Sequence, residues 1–232
     1  MHHTQFASLT TVKSFVSRYN AAVTQLVQIH PDNPERRRVR QVAAALREGA
    51  LIVYPTDSCY AFGCVMGNWQ ALRKISRIRQ TDRDHNFTLI CCDLSEIATH
   101  AKVENWCYRL LKAHTPGPYT FILKATRDVP RRLRNPRKKT IGIRVPDHPV
   151  PQALLTELAE PILSSTLLLP GDDTPQTDPD EILGRLSGEV DIVIDGGNCG
   201  IVPTTVVDLT EASPSVIRHG KGAWDDVNSS TK

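Results

Sequence analysis

Hydrophobic and polar positions along the chain follow two patterns, one typical of buried strands and one of amphipathic helices. Residues 50–54 form an uninterrupted aliphatic run between a glycine and a proline, which predicts a short strand buried on both faces. Ahead of this strand, apolar residues recur at helical spacing over residues 34–48. Asn33 is a suitable N-cap for that helix, Pro34 suits its first position, and Gly49 suits the C′ position.

The same reasoning predicts alternating helices and strands over the rest of the chain. The predicted helices are 70–79, 94–99, 106–113, 152–158 and 179–186, and the predicted strands are 87–92, 119–124, 140–145, 161–169, 190–194, 203–208 and 216–218. No linker-like composition separates these elements between Pro34 and Gly222. The pattern therefore indicates one α/β domain.

The chain before this domain has a different composition. Residues 1–27 are rich in Ser, Thr and Ala, and no acidic residue occurs before Asp32. Two interpretations remain open, a targeting segment or a frayed, partly helical extension.

A polar cluster follows the strand at residues 50–54. Pro55 cannot donate a hydrogen bond to a neighbouring strand, and Thr56, Asp57 and Ser58 come directly after it. The apolar run at residues 59–66 then returns to the core. Hydroxyls and a carboxylate at a bend between two buried segments predict a ligand site on a rigid support, although an ordinary strand, turn and strand would share the pattern.

Composition narrows the classes of protein. No apolar run approaches the roughly 20 residues that a membrane helix requires, so we expect no membrane partner. The 6 cysteines form no CxxC pair and accompany no secretory signal, which favours reduced thiols in a cytoplasmic protein. The sequence lacks a P-loop, a GxGxxG, a GxSxG and any metal-ligand spacing among its histidines, so we expect no protein metal site.

Cations are concentrated in one segment, although the net charge of the chain is only +3. This segment, called the cationic segment below, covers residues 127–139. A solvated surface and a phosphate-contacting edge are both consistent with it. Arg144 follows inside a predicted strand, where we expect it to pair with a carboxylate or to point into a cleft. The cations of the segment are Arg127, Arg131, Arg132, Arg134, Arg137, Lys138 and Lys139.

Seven ordered blocks carry a family resemblance. YPTDSCYAFG, RIRQTDRDHNFTL, TPGPYTFIL, KKTIGIRVP, LSSTLLLPG, PTTVVDL and VIRHGKG resemble the YrdC family, and the IHPDNP start and the HNFTL segment favour its YciO branch. The similarity leaves residues 1–28 as an N-terminal extension without fixed structure, 29–222 as the YrdC-like domain and 223–232 as a tail. It implies a twisted mixed sheet with a large basic concave cleft.

The resemblance also implies an activity. Catalytic members of the family are threonylcarbamoyl-AMP synthases, nucleotidyltransferases that join L-threonine, bicarbonate and ATP with Mg2+ as cofactor and release pyrophosphate during tRNA modification. Other members are associated with binding double-stranded RNA or tRNA. Carried over by position, the threonine site would comprise Thr56, Tyr60, Arg144, Ser164 and Thr205. The nucleotide site would comprise Arg79, Thr140, Thr166 and Arg218, with Arg79 as the catalytic residue that neutralises the leaving group.

Two departures bear on catalysis. Where catalytic members carry a Lys-x-Arg pair, this chain has Arg79 and Thr81, and where they carry Ser-x-Asn, it has Thr166 and Leu168. Each lost charge-assisted bond costs on the order of 1.5 to 3 kcal/mol, so the reaction would be slowed about a thousandfold or more. Two hypotheses follow: an RNA-binding protein with a weakened or lost synthase activity, and an active threonylcarbamoyl-AMP synthase.

Overall fold

The computed structural model describes residues 23–81 and 87–224. The predicted N-terminal extension (residues 1–28) and C-terminal tail (residues 223–232) lie partly outside these ranges. The strands are β1 Gln25–Gln28, β2 Ile52–Tyr54, β3 Ala61–Val65, β4 Thr88–Ile90, β5 Tyr119–Lys124, β6 Thr140–Arg144, β7 Ile162–Thr166, β8 Ile192–Asp195, β9 Thr205–Asp208 and β10 Ser215–Arg218. The helices are α1 Arg36–Arg47, α2 Trp69–Arg79, α3 Leu94–His100, α4 Asn105–His114, α5 Pro149–Leu158 and α6 Pro179–Leu186, with a 3-10 helix at Arg131–Leu133.

The described strands form one sheet in the order β1-β8-β2-β3-β7-β4-β6-β5-β9-β10. Strand pairs β1–β8, β2–β8, β4–β6 and β5–β9 are parallel, and the remaining neighbours are antiparallel. The predicted single α/β domain with a mixed sheet is therefore confirmed.

Helices cover the two faces of the sheet unequally. Apolar residues of α2, α3, α4 and α6 pack on one face as part of the larger core. On the other face, α1 and α5 pack over the half of the sheet that contains β1, β8 and β2. Side chains alternate between the faces of a strand. On their side of the sheet, α1 and α5 therefore leave open the face of the other half of the sheet, towards β5, β9 and β10.

Two local predictions were wrong at the start of the chain. Gln25–Gln28 is a strand, β1, that pairs in parallel with β8, so the sheet begins four residues before the expected domain start at residue 29. Helix α1 begins at Arg36 with Glu35 as its N-cap, two residues after the predicted Asn33. Asn33 is engaged in another turn, because its backbone N–H donates to His30 Nδ1 at 3.2 Å. The predicted C-terminal Gly49 is confirmed and has a φ of +98°.

The N-cap of α5 gives the fold a pH dependence. His148 Nδ1 accepts the backbone N–H of Val150 at 3.2 Å, and burial lowers the pKa of His148. The unfolded chain therefore binds a proton that the folded chain excludes, and stability falls as the pH drops through the ordinary histidine pKa of about 6.5. We expect His148→Asn, which retains an N-cap acceptor, to lose less stability than the native chain between pH 7.5 and 5.5 in urea unfolding. An equal loss in both proteins would contradict this role.

Candidate functional site

The turn after β2 is held by the hydroxyl of Thr56. This oxygen accepts the backbone N–H groups of Ser58 at 3.1 Å and Cys59 at 3.2 Å, and it donates to the Cys59 carbonyl at 2.6 Å. Thr56 is buried, and these three hydrogen bonds of its hydroxyl close the turn. The predicted threonine-site residue thus shapes the loop that carries Asp57 and Ser58, and Ser58 borders the cleft described below.

Arg144 forms a buried ion pair with Asp57. The side chains are only 7% and 9% exposed, and the guanidinium contacts one carboxylate oxygen, Asp57 Oδ1. A second contact from Arg144 reaches Thr56 Oγ1 at 3.5 Å. Lys221 donates to the carbonyl of Asp57 from the segment after β10. Both outcomes expected for Arg144 occur, because it pairs with a carboxylate and also borders the cleft.

The open half of the sheet forms the floor of a cleft of about 590 Å³. Its floor residues occupy alternating positions on five neighbouring strands, as a shared face requires. The intervening residues of β5 and β6, such as Phe121 and Ile143, belong to the larger core on the opposite face. Floor residues include Thr88 and Ile90 of β4, Thr120 and Ile122 of β5, Thr140 and Arg144 of β6, Ser164 and Thr166 of β7, and Val206 and Asp208 of β9.

Arg79, at the end of α2, reaches the cleft beside β7. Its Nε donates to the carbonyl of Leu168 at 3.4 Å, and its guanidinium also donates to the Ser165 hydroxyl. Burial lowers the pKa of Arg79. The predicted catalytic cation Arg79 and the predicted nucleotide-site residue Thr166 thus border the same cleft.

The predicted threonine-site residues Tyr60 and Ser164 border the cleft, and their hydroxyls form hydrogen bonds to other residues of the protein. The Tyr60 hydroxyl donates to the Gly197 carbonyl at 2.7 Å, and burial raises its pKa. Ser164 accepts from the Tyr54 hydroxyl at 2.8 Å and donates to the Phe62 carbonyl at 3.0 Å. Burial also raises the pKa of Tyr54 to about 12. The two tyrosines therefore act at this site as neutral hydrogen-bonding groups, as tyrosine does ordinarily at neutral pH.

The far end of the cleft differs from our expectation at one residue. Arg218 is placed at the cleft, and its guanidinium donates to the Thr204 carbonyl at 2.9 and 3.2 Å. Thr205 is fully buried, and its hydroxyl bridges the Gly222 carbonyl at 2.5 Å and the Gly220 N–H at 2.9 Å. Thr205 is therefore not among the residues that border the cleft, and its contact with threonine stays a prediction. The adjacent Thr204 borders the cleft instead, because successive residues of an extended chain face opposite sides.

Sequence reasoning missed several cleft residues. Thr204 shares a hydrogen bond of 2.9 Å between hydroxyls with Thr120. Thr88 of β4 also borders the cleft, whereas Ser58, which borders it too, belongs to the polar cluster that the sequence predicts as a ligand site. Residues 203–208 (PTTVVD) do not alternate polar and apolar residues, so the local sequence gives no signal that separates Thr204 from Thr205. Only the strand order brings Thr120 to the side of Thr204.

The cationic segment connects β5 to β6, and its members have different surroundings. Arg134 is half-buried and donates to the carbonyls of Val129 at 2.7 Å and Arg127 at 3.1 Å, so it holds the segment together. Arg132 lies 5.6 Å from the ring centroid of Trp69. Lys138 borders the cleft and lies 3.6 Å from Asp208 Oδ2. The exposed cations are Arg127, Arg131, Arg132, Arg137, Lys138 and Lys139.

The two departures lie at the cleft end of α2 and after β7. The Thr81 hydroxyl is buried and has no hydrogen-bond partner among the described residues. Leu168 borders the cleft, and its contact with Arg79 uses the backbone carbonyl. Neither side chain supplies a charge or an amide to the cleft.

Residues 23–81 and 87–224 contain no group of three or more His, Cys, Asp or Glu side chains that could hold a metal ion. The six cysteines are free thiols. No helix in these ranges is long and apolar enough to cross a membrane.

The chain is similar to several known proteins. It is 52% identical over 200 residues to the uncharacterized protein YciO of Escherichia coli K12, covering 86% of this chain and 97% of that protein. The crystal structure of E. coli YciO matches with a TM-score of 0.83 over the same shares of the two chains. The threonylcarbamoyl-AMP synthase of Bacillus subtilis is 29% identical over 79% of this chain and 53% of its own.

A liganded relative shares the fold. The crystal structure of Pyrococcus abyssi Sua5 complexed with L-threonine matches with a TM-score of 0.77 at 26% identity, covering 85% of this chain and 58% of that chain. The family model Sua5/YciO/YrdC, described as telomere recombination, matches residues 44–220. This chain therefore belongs to the Sua5/YciO/YrdC family and is homologous to threonylcarbamoyl-AMP synthases.

Proposed function

We propose that this protein binds double-stranded RNA or tRNA through its cationic segment and holds ATP and L-threonine in its cleft, with threonylcarbamoyl-AMP synthesis weak or lost. One observation carries the proposal. The cleft keeps the cations Arg79, Arg144 and Arg218 on a hydroxyl-lined floor, whereas Thr81 and Leu168 supply none of the groups of the catalytic pairs.

The cleft suits an anionic ligand that reacts without a protein nucleophile. Arg79 and Arg218 would contact phosphates, because guanidinium groups bind phosphate oxygens through charge-assisted hydrogen bonds. Hydrogen bonds to backbone carbonyls hold both groups at the cleft. Thr140 and Thr166 would contact the nucleotide. In the synthase reaction, threonine carbamate attacks the α-phosphate and pyrophosphate leaves, so catalysis rests on orientation and charge neutralisation.

The residues present are compatible with a metal ion that arrives with ATP. Mg2+ commonly binds one or two carboxylates together with substrate phosphates and water. Asp173 and Asp208 border the cleft, but Asp208 Oδ1 already accepts from the Thr210 backbone N–H at 2.9 Å and hydroxyl at 2.6 Å. Asp173 is thus the better protein ligand. Bound Mg2+ would neutralise charge on the phosphates.

The alternative is an active threonylcarbamoyl-AMP synthase. The deciding assay follows radiolabelled ATP with threonine, bicarbonate and Mg2+. Our proposal requires slow or undetectable formation of threonylcarbamoyl-AMP by the native chain. Turnover of about 1 per second or faster, within the usual range for enzymes, would favour the alternative.

RNA binding is supported by the cationic segment. Of its seven cations, only Lys138 lies within ion-pair distance of a carboxylate among residues 23–81 and 87–224. Exposed cations without acidic partners attract a phosphate backbone, and the segment lies beside the cleft because Leu133, Asn135 and Lys138 border it.

Neutralising this segment is expected to weaken RNA binding. We expect the triple variant Arg131→Gln, Arg137→Gln and Lys139→Gln to bind an RNA duplex about a hundredfold more weakly at about 0.1 M salt. The slope of log affinity against log salt should fall by about three, because three phosphate contacts are lost. Fluorescence anisotropy over a salt series measures both quantities.

A second triple variant provides a matched control. Arg36→Gln, Arg37→Gln and Lys74→Gln removes the same charges from exposed positions on α1 and α2. If both triple variants lose affinity equally, the attraction comes from net charge and the cationic segment is not the RNA site. A native chain with no salt slope would contradict RNA binding through phosphates altogether.

A further inference from the structure

We propose that the cleft takes up one unpaired nucleotide of a bound RNA, with the base of that nucleotide lying on an apolar lip formed by Ile201, Val202, Pro203 and Ile217. This inference rests on the proposed RNA binding and goes further, since it names the RNA feature recognised. It combines four observations: the exposed lip, the register shift that places Arg218 beside it, the separation of residues 201–203 from the cationic segment, and the size of the cleft.

The lip is a concentration of exposed apolar side chains. Ile201, Val202 and Ile217 are 49%, 47% and 59% exposed, and Ile201, Pro203 and Ile217 border the cleft. In the described part of the chain, the other large hydrophobic residues that are similarly exposed are Val23 and Tyr108. Exposed apolar side chains that gather at the mouth of a cleft mark a binding surface, whereas isolated ones need no explanation.

An irregularity in the edge strand places apolar and cationic groups side by side. The register between β9 and β10 shifts between Val216 and Arg218. Regular alternation would send Ile217 and Arg218 to opposite faces, yet both border the cleft. The lip therefore adjoins a guanidinium that faces the same ligand space, an arrangement that suits a base attached to a phosphate.

Residues 201–203 of the lip and the cationic segment lie near opposite ends of β9, and Ile217 lies beside the middle of this strand. Residues 201–203 precede this strand, whereas Lys138 contacts Asp208 at its last residue. The strand from Thr204 to Asp208 spans roughly 13 Å at the usual rise per residue. Cations continue outside the cleft from Lys138 to Lys139 and Arg137, which are exposed. A polyanion bound along these cations would extend outside the cleft.

The size of the cleft selects the part of the RNA that can enter. A volume of about 590 Å³ is within the range of sites for small molecules. A nucleotide that is paired inside a duplex must break its base pair and its stacking contacts to enter the cleft. A nucleotide that is already unpaired can enter at small cost. Inside, the hydroxyls of Thr120 and Thr204 offer hydrogen bonds to a base edge, and Ile217 offers apolar contact to its face.

The test compares two RNA duplexes that differ by one nucleotide. One carries a single unpaired 2-aminopurine nucleotide as a bulge, and the other carries 2-aminopurine in a fully paired position. We expect the bulged RNA to bind about tenfold more tightly, because base contacts of this kind have that order of effect. The fluorescence of the unpaired 2-aminopurine should change on binding, whereas that of the paired one should not.

Two single variants identify the lip. Ile217→Ser should remove the preference for the bulged RNA and leave the affinity for the paired duplex unchanged, since Ile217 is exposed and makes no phosphate contact in the proposal. Tyr108→Ser, at an exposed position on α4 outside the cleft, should leave the preference intact. Equal affinities for the two RNAs, or equal effects of the two variants, would overturn the single-nucleotide inference while the RNA-binding proposal stands. If the native chain binds neither RNA, both proposals are overturned.

Discussion

Replacing Asp57 by alanine is expected to lower the free energy of unfolding by about 3 to 5 kcal/mol, since this removes one partner of a buried ion pair. Arg144 would keep its charge in a site where its side chain is only 7% exposed. The pair is already incompletely satisfied, because Arg144 Nε and Asp57 Oδ2 are buried and have no hydrogen-bond partner among the described residues. Urea unfolding at neutral pH measures the change.

Two comparisons distinguish this effect from a general loss of charge pairs. Glu189→Ala breaks the exposed pair between Arg77 and Glu189, whose side chains are 65% and 39% exposed, and should change stability by less than about 1 kcal/mol. The double variant Asp57→Leu, Arg144→Met replaces both charges by apolar groups and should recover much of the stability lost by Asp57→Ala. If Asp57→Ala costs no more than Glu189→Ala, the buried pair does not hold the turn and the sheet together.

The ion pair between Asp57 and Arg144 stabilises the fold and also involves a cation that borders the cleft. Asp57 is carried by the turn that the Thr56 hydroxyl organises after β2, and Arg144 ends β6, which β3, β7 and β4 separate from β2 in the sheet. The ion pair therefore joins two elements that are distant in sequence. A ligand carboxylate at Arg144 would have to share the guanidinium with Asp57, which makes Asp57 a residue that tunes the affinity of the cleft for acids.

The sequence was most informative where local pattern and tertiary role agree. The strand at 119–124 matches β5 in both bounds, and the polar bend after β2 does lie between two buried segments. Arg144 was recognisable because a charged residue within a buried strand requires a partner. The pattern that predicts the sheet therefore also located the arginine at its open face.

The errors arose where partners come from distant parts of the chain. Nothing local marks Gln25–Gln28 as a strand, because only its pairing with β8 stabilises it there. Thr204 and Thr205 are adjacent hydroxyl residues, and their choice of face depends on the register of β9 against β5. Arg134 appeared equivalent to its basic neighbours, yet its guanidinium is used by backbone carbonyls of its own segment.

Replacing Thr81 and Leu168 by the residue types of the catalytic pairs is expected to accelerate threonylcarbamoyl-AMP formation about a thousandfold. The variant Thr81→Arg, Leu168→Asn supplies the second cation and the amide of the catalytic pairs, each of which contributes on the order of 1.5 to 3 kcal/mol to a charged ligand. Among the described residues, neither substitution removes a side-chain hydrogen bond. The Thr81 hydroxyl has no partner among the described residues, and Arg79 contacts Leu168 through its backbone carbonyl, which the substitution retains.

The same radiolabelled-ATP assay, with threonine, bicarbonate and Mg2+, checks this prediction. Thr81→Met, Leu168→Met is the matched control, because it changes both side chains without adding charge or an amide, and it should remain as slow as the native chain. If the native chain already matches the restored variant, Thr81 and Leu168 are no obstacle and the protein is a synthase. If the restored variant folds but neither turns over nor binds ATP, the cleft does not hold a nucleotide, and the RNA-binding part of the proposed function must be tested without it.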